Sequence, residues 1–291
     1  MSPALIILAL LKTSVALTVL AVGFKATWSD TVFLFQRPRL LGRAIVAMNV
    51  LMPLLALFMV TKLSLDPAVK IALAALSVSP VPPIFPKKTV KVSGTETYSV
   101  GLQVAISLLA IILVPLSMNI FQSALGLSVR MGPLAVAKLV FMTIMIPLLA
   151  GIAFRGMMPS VAQKLAKPTD AVASALLLVS VLPIVFASAG DMWQLVGNWT
   201  LVSLATFALA GLIIGYLLAG PNPEHRSVLS LATSTRHPGL AIAIAHGNFP
   251  NQKLALAAIG LYIVIAGVVA ALPFPRKSTE TASDSEKRTA A

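Results

Sequence analysis

The chain has 291 residues, of which 58% are hydrophobic and only 11% are charged. Soluble domains are about half apolar and roughly one quarter charged, so this composition excludes an ordinary soluble enzyme or binding module. Cysteine is absent, which excludes disulfides and cysteine-ligated metals. Because a transmembrane helix needs about 20 apolar residues, the length accommodates about nine spans with short loops and a tail.

The apolar residues form long continuous runs rather than alternating patterns, which predicts helices and not strands. In chain order, the runs cover residues 3–23, 39–61, 67–84, 97–121, 133–154, 170–190, 198–219, 227–248 and 252–272. Residues 1–272 are therefore predicted to form an all-α polytopic membrane domain. Residues 273–291 are too polar to bury a core, and we expect them to be a disordered cytoplasmic tail.

The net charge of +13 is distributed unequally between the two sides of this predicted domain. Most of the 22 Lys and Arg residues fall in the odd-numbered loops and the tail, and few fall in the even-numbered loops. By the positive-inside rule, the N-terminus lies outside and the C-terminus in the cytoplasm. This distribution explains the charge without a nucleic-acid partner, and the lack of cysteine fits a bacterial inner membrane.

Two of the runs are interrupted by residues that break helices. Run 67–84 contains Pro80 and Pro82, and run 227–248 contains the polar segment Thr233–Gly239. Irregular backbone at membrane depth survives only where protein or a water-filled cavity satisfies it. Paired broken helices in corresponding halves of a chain indicate a transporter with inverted repeats and a site near the membrane midplane. The alternative is two kinked helices without a site.

Arg236 is the leading candidate for a substrate-binding residue, because a guanidinium at membrane depth is costly and functional by default. The alternative is that Arg236 ties down the break by binding backbone carbonyls. Pro238 suits the first turn of one half-helix and Pro82 or Pro83 that of the other, and the N-termini of half-helices carry partial positive charge and free N–H donors. These features predict an anionic or polar substrate group. The remaining candidate substrate-binding residues are His237, Thr235, Ser234, Thr233, Ser79, Asn49 and Lys12.

Other side chains bear on ion coupling. His237 could couple protons, or it could instead satisfy freed backbone groups. For Ser79, Asn49 and Gln103, hydrogen bonding between helices is the alternative to facing a cavity. All nine acidic residues lie in loops, near helix ends or in the tail, so carboxylate-based coupling is hard to build. The three histidines lack the spacing of metal ligands, and we expect neither a metal nor a cofactor. An intramembrane lipid-processing enzyme would need a carboxylate pair, a metal cluster or a nucleophile–base set, and the sequence shows none.

Short motifs along nearly the whole chain resemble the bile acid:sodium symporter family, within the bile/arsenite/riboflavin transporter superfamily. The matching segments are Thr18–Lys25, Ser29-Asp30, Gln36–Pro38, Met52-Pro53, Gly94, Tyr98–Val100, Pro115-Leu116, Pro238–Ala241 and Asn248-Phe249. The resemblance implies nine helices, with a core domain that contains two crossing discontinuous helices and a smaller panel domain. We assign core helices to about residues 66–121 and 198–272, and panel helices to about 1–61 and 133–190 in part.

The sequence departs from the pattern of sodium-coupled members at most of the implied ion ligands. A Ser-Asn pair falls on Phe85 and Pro86, and a Glu and a Gln of the second crossover fall on Ala232 and Arg236. A further Gln falls on Met48. Ser99 is kept and a ligand Thr becomes Gln103, so these two are vestigial ion-binding candidates.

The predicted function is a secondary transporter that moves small organic anions, such as bile acids or other carboxylates, by alternating access through the lipid bilayer. The missing ligands predict that sodium dependence is weakened or lost, and a proton remains a possible coupling ion. The alternatives are a membrane sensor or structural relative that does not transport and, with less support, the intramembrane lipid-processing enzyme.

Overall fold

The structure, a computed structural model, describes residues 3–82, 95–125, 133–187, 189–197, 199–249 and 251–271. In chain order the helices are α1 (Pro3–Lys25), α2 (Trp28–Val32), α3 (Pro38–Ile45), α4 (Met52–Lys62), α5 (Pro67–Val78), α6 (Glu96–Leu125), α7 (Pro133–Val140), α8 (Ile146–Met157), α9 (Pro159–Ala187), α10 (Ala189–Leu195), α11 (Thr200–Leu218), α12 (Pro223–Ser234), α13 (Pro238–Asn248) and α14 (Lys253–Ala270). Two π-helical turns, Val46–Leu51 and Phe141–Met145, join α3 to α4 and α7 to α8. The described residues contain no strand, so the predicted all-α class is confirmed.

Within the part of the chain that the structure describes, three continuous helical stretches are long and apolar enough to cross a membrane, and they cover Pro38–Lys62, Thr97–Ala124 and Thr200–Leu218. Their bounds lie within a few residues of the predicted runs. Shorter apolar helices cover Pro67–Val78, Phe141–Met157 and Leu254–Ala270. The total number of spans stays a prediction, and the predicted tail from residue 273 lies outside the described residues.

The sequence predicts the wrong start for one helix, α9, and does not predict another, α2. α9 begins at Pro159 rather than near residue 170, because its polar first half is anchored by Ala162 and Ala166 against Phe24. These alanines are spaced i and i+4, so they lie on one face of a helix that mean hydropathy misses. The short helix α2 starts with a capping box, in which Thr27 and Asp30 satisfy each other's backbone N–H groups.

Glycines permit close contact between helices in the membrane domain, for example in two helix pairs. A Cβ atom on Gly23 of α1 would lie 2.6 Å from Leu148 O and 2.9 Å from Gly151 Cα of α8. α1 also packs along α9, so these helices form one contiguous group. A Cβ atom on Gly215 of α11 would lie 2.5 Å from Leu229 O of α12. Small residues permit such close backbone approach between membrane helices.

The broken helices lie within a second group of elements. α5 packs on α4, α6, α13 and α14, and α12 packs along α11. The π-helical turn Val46–Leu51 contacts α5, α11 and α12. α5 is buried along almost its whole length, which places the end of α5 inside this group rather than at its surface.

Candidate functional site

The first interruption follows α5 and presents backbone acceptors. Ser79 adopts extended backbone as the C-cap of α5, and its N–H donates to Leu76 O at 3.1 Å. Pro80 and Pro82 have no N–H with which to continue the helix. The residues from Ser79 to Pro82 are buried, so their carbonyls need donors from elsewhere in the protein. The half-helix predicted to follow Pro82 lies outside the described residues.

The second interruption separates α12 from α13 and is built from polar residues. α12 ends at Ser234, and Thr235 follows in extended backbone. His237 is the N-cap of α13, where its Nδ1 accepts a hydrogen bond from Leu240 N–H at 3.2 Å. Pro238 occupies the first helical position, where its missing N–H costs nothing. The predicted break of run 227–248 is therefore present, with a capped half-helix on its C-terminal side.

The two interruptions contact each other directly. His237 N–H donates to Pro80 O at 2.8 Å. The guanidinium of Arg236 donates from Nη1 to Ser79 O at 3.2 Å and from Nη2 to Met48 O at 3.1 Å. Met48 lies in the π-helical turn between α3 and α4, an arrangement that is rare and often found at functional sites. One arginine therefore joins three irregular backbone segments that are far apart in the sequence.

The Arg236 side chain is 3% exposed, and no acidic residue in the described part of the chain forms an ion pair with it. Its Nε has no hydrogen-bond partner among those residues. The same is true of His237 Nε2, in a side chain that is also 3% exposed. Because Nδ1 of His237 accepts a hydrogen bond, the proton of the neutral ring lies on Nε2. The site thus contains a buried positive charge and two donors without a partner in the described part of the chain.

The hydroxyls of the second break point back into their own helix. Thr233 Oγ1 donates to Leu229 O at 2.7 Å, and Thr235 Oγ1 donates to Leu231 O at 2.6 Å. Ser234 Oγ also donates to Leu231 O, at 3.3 Å. All three side chains are buried and are close to Arg236 in the sequence, but their hydroxyl groups already donate to backbone carbonyls of α12. Within this set, the groups left to donate to a ligand are those of Arg236 and His237.

A sequence profile described as the Sodium Bile acid symporter family matches residues 12–194, which include the first break. The chain belongs to the sodium bile acid symporter family. It is therefore an integral membrane protein of a transporter family. No curated protein matches the chain.

The two residues that the sequence predicts as vestigial ion ligands lie on one buried helix face of this family member. Ser99 and Gln103 are one turn apart on α6, and Gln103 is 1% exposed. Both polar atoms of the Gln103 amide lack a hydrogen-bond partner among the described residues. The amide oxygen and nitrogen of Gln103 are therefore not used in packing between the described helices. Phe85 and Pro86, on which the Ser-Asn pair falls, lie outside the described residues.

The side chains of two further candidate residues of this symporter-family protein have no described hydrogen bond to the breaks. Lys12 lies on the exposed side of α1, and no described contact joins it to Arg236. Val15, three residues further along α1, is 3.9 Å from a Cβ atom built on Gly239 of α13. Asn49 lies in the π-helical turn, partly exposed, and its Oδ1 has no partner within the described chain.

Sequence reasoning missed the groups that hold the site in place. The Met48 carbonyl is a backbone acceptor, and because every residue has one, the sequence could not identify it. Tyr262 of α14 donates from its hydroxyl to Ser234 O at 2.6 Å, yet its position in an apolar run gave no signal. Gly211 and Gly215 do form a small-xxx-small pattern, which could have predicted the close contact between α11 and α12. In the described residues, no cluster of three His, Asp or Glu side chains could hold a metal.

Proposed function

We propose that this protein is a secondary transporter, and not an enzyme, that moves small organic anions without requiring sodium. The observation that carries the proposal is the Arg236 guanidinium, which is buried between the two breaks with no acidic partner in the described residues. A buried cation without a counter-charge is expensive, and a bound anion would offset that cost. Bile acids and other carboxylates have the required charge.

The start of α13 is the part of the site best suited to contact the substrate. Pro238 and Gly239 are partly exposed, whereas Arg236 and His237 behind them are buried. The N-terminus of a helix carries partial positive charge and N–H groups, both of which favour an anion. His237 Nε2–H adds a directional donor. We therefore assign direct substrate contact to Pro238, Gly239 and His237.

The hydrogen-bond acceptors of Arg236 support the proposed loss of sodium dependence. Its two Nη atoms bind the carbonyl oxygens of Ser79 and Met48, which are the kind of ligand that a hard cation prefers. The resemblance places an ion-ligating Gln at each of positions 236 and 48, and an ion-ligating Glu at Ala232. We propose that the tethered guanidinium supplies the positive charge that a sodium ion brings in coupled relatives. Proton coupling through His237 remains the competing coupling mode.

In alternating access, one of the two groups of helices would move against the other. We assign α1, α7, α8 and α9 to the moving panel and the remaining long helices to the core. Residues 38–62, which the sequence-based assignment places in the panel, belong to the core in this proposal, because the turn Val46–Leu51 contacts α5, α11 and α12. Contact between α1 and α13 is limited, with Val15 facing Gly239. We propose that Lys12, one turn from Val15, faces the gap between the two groups and attracts the anion. The N-terminus would lie outside and the C-terminus in the cytoplasm of a bacterial cell.

Uptake into proteoliposomes tests this function. Bile acids, keto acids and other small carboxylates would be offered with a sodium gradient and with choline in place of sodium. We expect saturable uptake of at least one anion at the same rate in both solutions. A strict requirement for sodium would contradict the role given to Arg236. Thermal stabilisation by an anion without any flux would instead identify a sensor.

A further inference from the structure

A second cluster of positive charge lies at the end of the protein where α3 and α12 begin. Arg43 of α3 places Nη1 directly against the backbone of Gly220, in the turn between α11 and α12. Arg226 of α12 donates from Nε to Gly220 O at 2.7 Å. Gly220 has a φ of +88°, a conformation that favours glycine, and a side chain there would collide with Arg43. Two guanidinium groups from different helices therefore converge on one glycine.

The two arginines differ in how well they are satisfied. Arg226 also donates from Nη1 to the Tyr216 hydroxyl at 3.1 Å, and its guanidinium lies 4.8 Å from the centre of that ring. These contacts hold Arg226 in one orientation. Arg43 makes no hydrogen bond within the described part of the chain, and no ion pair joins either arginine to an acidic residue there. The adjacent Glu224 acts electrostatically on His225.

The surroundings add charge and a further free donor. Arg37 lies over the Phe33 ring at 3.9 Å and within electrostatic range of His225. His225 packs against Tyr98 with 4.7 Å between ring centres. The Tyr98 hydroxyl is buried without a partner among the described residues, and it lies within electrostatic range of Arg43. Three arginines, Arg37, Arg43 and Arg226, thus outnumber the one carboxylate described near them, that of Glu224, and an anion bound between the arginines would reduce their mutual repulsion.

We propose that Arg43 and Arg226 form a binding site for a phosphate group, separate from the substrate site. A guanidinium offers paired N–H donors that match the oxygens of a phosphate. Arg226 is pre-oriented by Gly220 and Tyr216, and Arg43 retains its donors for a ligand. The cluster lies at the ends of membrane helices, the depth at which basic residues between helices bind anionic lipid headgroups. A phospholipid headgroup and a free phosphate share this chemistry.

The test uses the purified full chain in neutral detergent, titrated with phosphatidylglycerol, with phosphatidylcholine or with inorganic phosphate at matched ionic strength. Thermal unfolding and the phosphorus retained after washing are both measured. We expect phosphatidylglycerol to raise the melting temperature and to be retained, with less effect at high salt. A rise with inorganic phosphate alone would assign the site to a soluble phosphate. Equal stabilisation by phosphatidylcholine, or no stabilisation by any probe, would overturn the proposal.

Arg43→Ala is the decisive variant, because Arg43 is exposed and makes no hydrogen bond to the described residues. Loss of one charge-assisted contact should raise the half-saturating lipid concentration about tenfold. Arg43→Lys should keep part of the affinity, since it keeps the charge but not the fork of donors. Lys164→Ala is the matched control, an exposed basic residue on α9. An equal loss in Lys164→Ala would show that only overall charge matters, which would contradict a defined site.

Discussion

The two helix breaks have opposite hydrogen-bonding character. The break at Ser79–Pro82 contains two prolines, which lack N–H groups, so it offers mainly carbonyl acceptors. The break at Thr235–His237 contributes donors, namely the Arg236 guanidinium and His237 N–H, and these bind Ser79 O and Pro80 O. Each break thus satisfies the other, which explains how prolines are tolerated at this depth. Because the break at Ser79–Pro82 offers acceptors, the positively charged donor, Arg236, lies in the other break.

Removal of the Arg236 side chain should have the largest effect on this pairing. Arg236→Ala leaves Ser79 O and Met48 O without their donor, which should cost about 1–3 kcal/mol for each buried carbonyl. We also expect anion uptake to fall to background, because the buried charge is lost. Thermal unfolding in detergent and uptake into proteoliposomes measure the two effects.

Two companion variants separate the charge from the scaffold. Arg155→Ala removes an arginine from the last turn of α8, away from both breaks, and should leave uptake unchanged. Arg236→Lys keeps the charge but cannot span both carbonyls as a planar fork, so it should keep partial uptake with reduced stability. Full uptake by Arg236→Ala would remove the residue from the mechanism.

Moving α12, which leads into the break at Thr235–His237, away from α11 should have the next largest effect. A Cβ atom on Gly215 would lie 2.5 Å from Leu229 O and from Ser230 Cα, so Gly215→Ala must push α12 away from α11. Overpacking of this kind costs about 1–3 kcal/mol. Gly267→Ala in α14 is the control, because nothing lies within 4 Å of its Cβ position. Equal melting temperatures of the two variants would show that the α11–α12 contact can relax.

His237, next to Arg236, has two roles that can be tested separately: it caps α13 and it offers the Nε2–H donor. His237→Ala removes the cap of α13, at about 1 kcal/mol, together with the free Nε2–H. His237→Asn should restore the cap, because asparagine is a good N-cap residue. We expect both variants to raise KM for the anion, and only the alanine variant to lower stability. His246→Ala, on the exposed side of the same helix, should change neither quantity.

The smallest effect is expected from a side chain on the acceptor break. Ser79 Oγ donates only to Leu76 O, at 2.9 Å, and that oxygen also accepts from Ser79 N–H. Ser79→Ala should therefore cost about 0.5 kcal/mol, because no acceptor is left unsatisfied. Uptake should be unchanged, since the Ser79 carbonyl still binds Arg236. A large loss of uptake would assign the hydroxyl, and not the backbone, to the site.

Some of this architecture could be read from the sequence because it depends on residue type. Long apolar runs predicted the helices, and Pro80 and the segment around Arg236 marked both breaks. The partners of Arg236 could not be predicted, because every backbone has carbonyls and only the fold decides which ones face a donor. The start of α9 was misplaced because polar residues such as Lys164 and Lys167 lower the mean hydropathy of its first half, and this average hides the single buried face that contains Ala162.

The fixed position of the Arg236 guanidinium has a consequence for the energetics of a transport cycle. The cation is covalently attached, so it returns with the empty carrier, and each turnover without a co-transported ion moves the net charge of the substrate. Flux of a monoanion would then generate a current. An inside-negative potential of about 100 mV opposes entry of one negative charge by about 2.3 kcal/mol and favours its exit by the same amount. The residue that attracts the anion would thereby bias the carrier towards efflux.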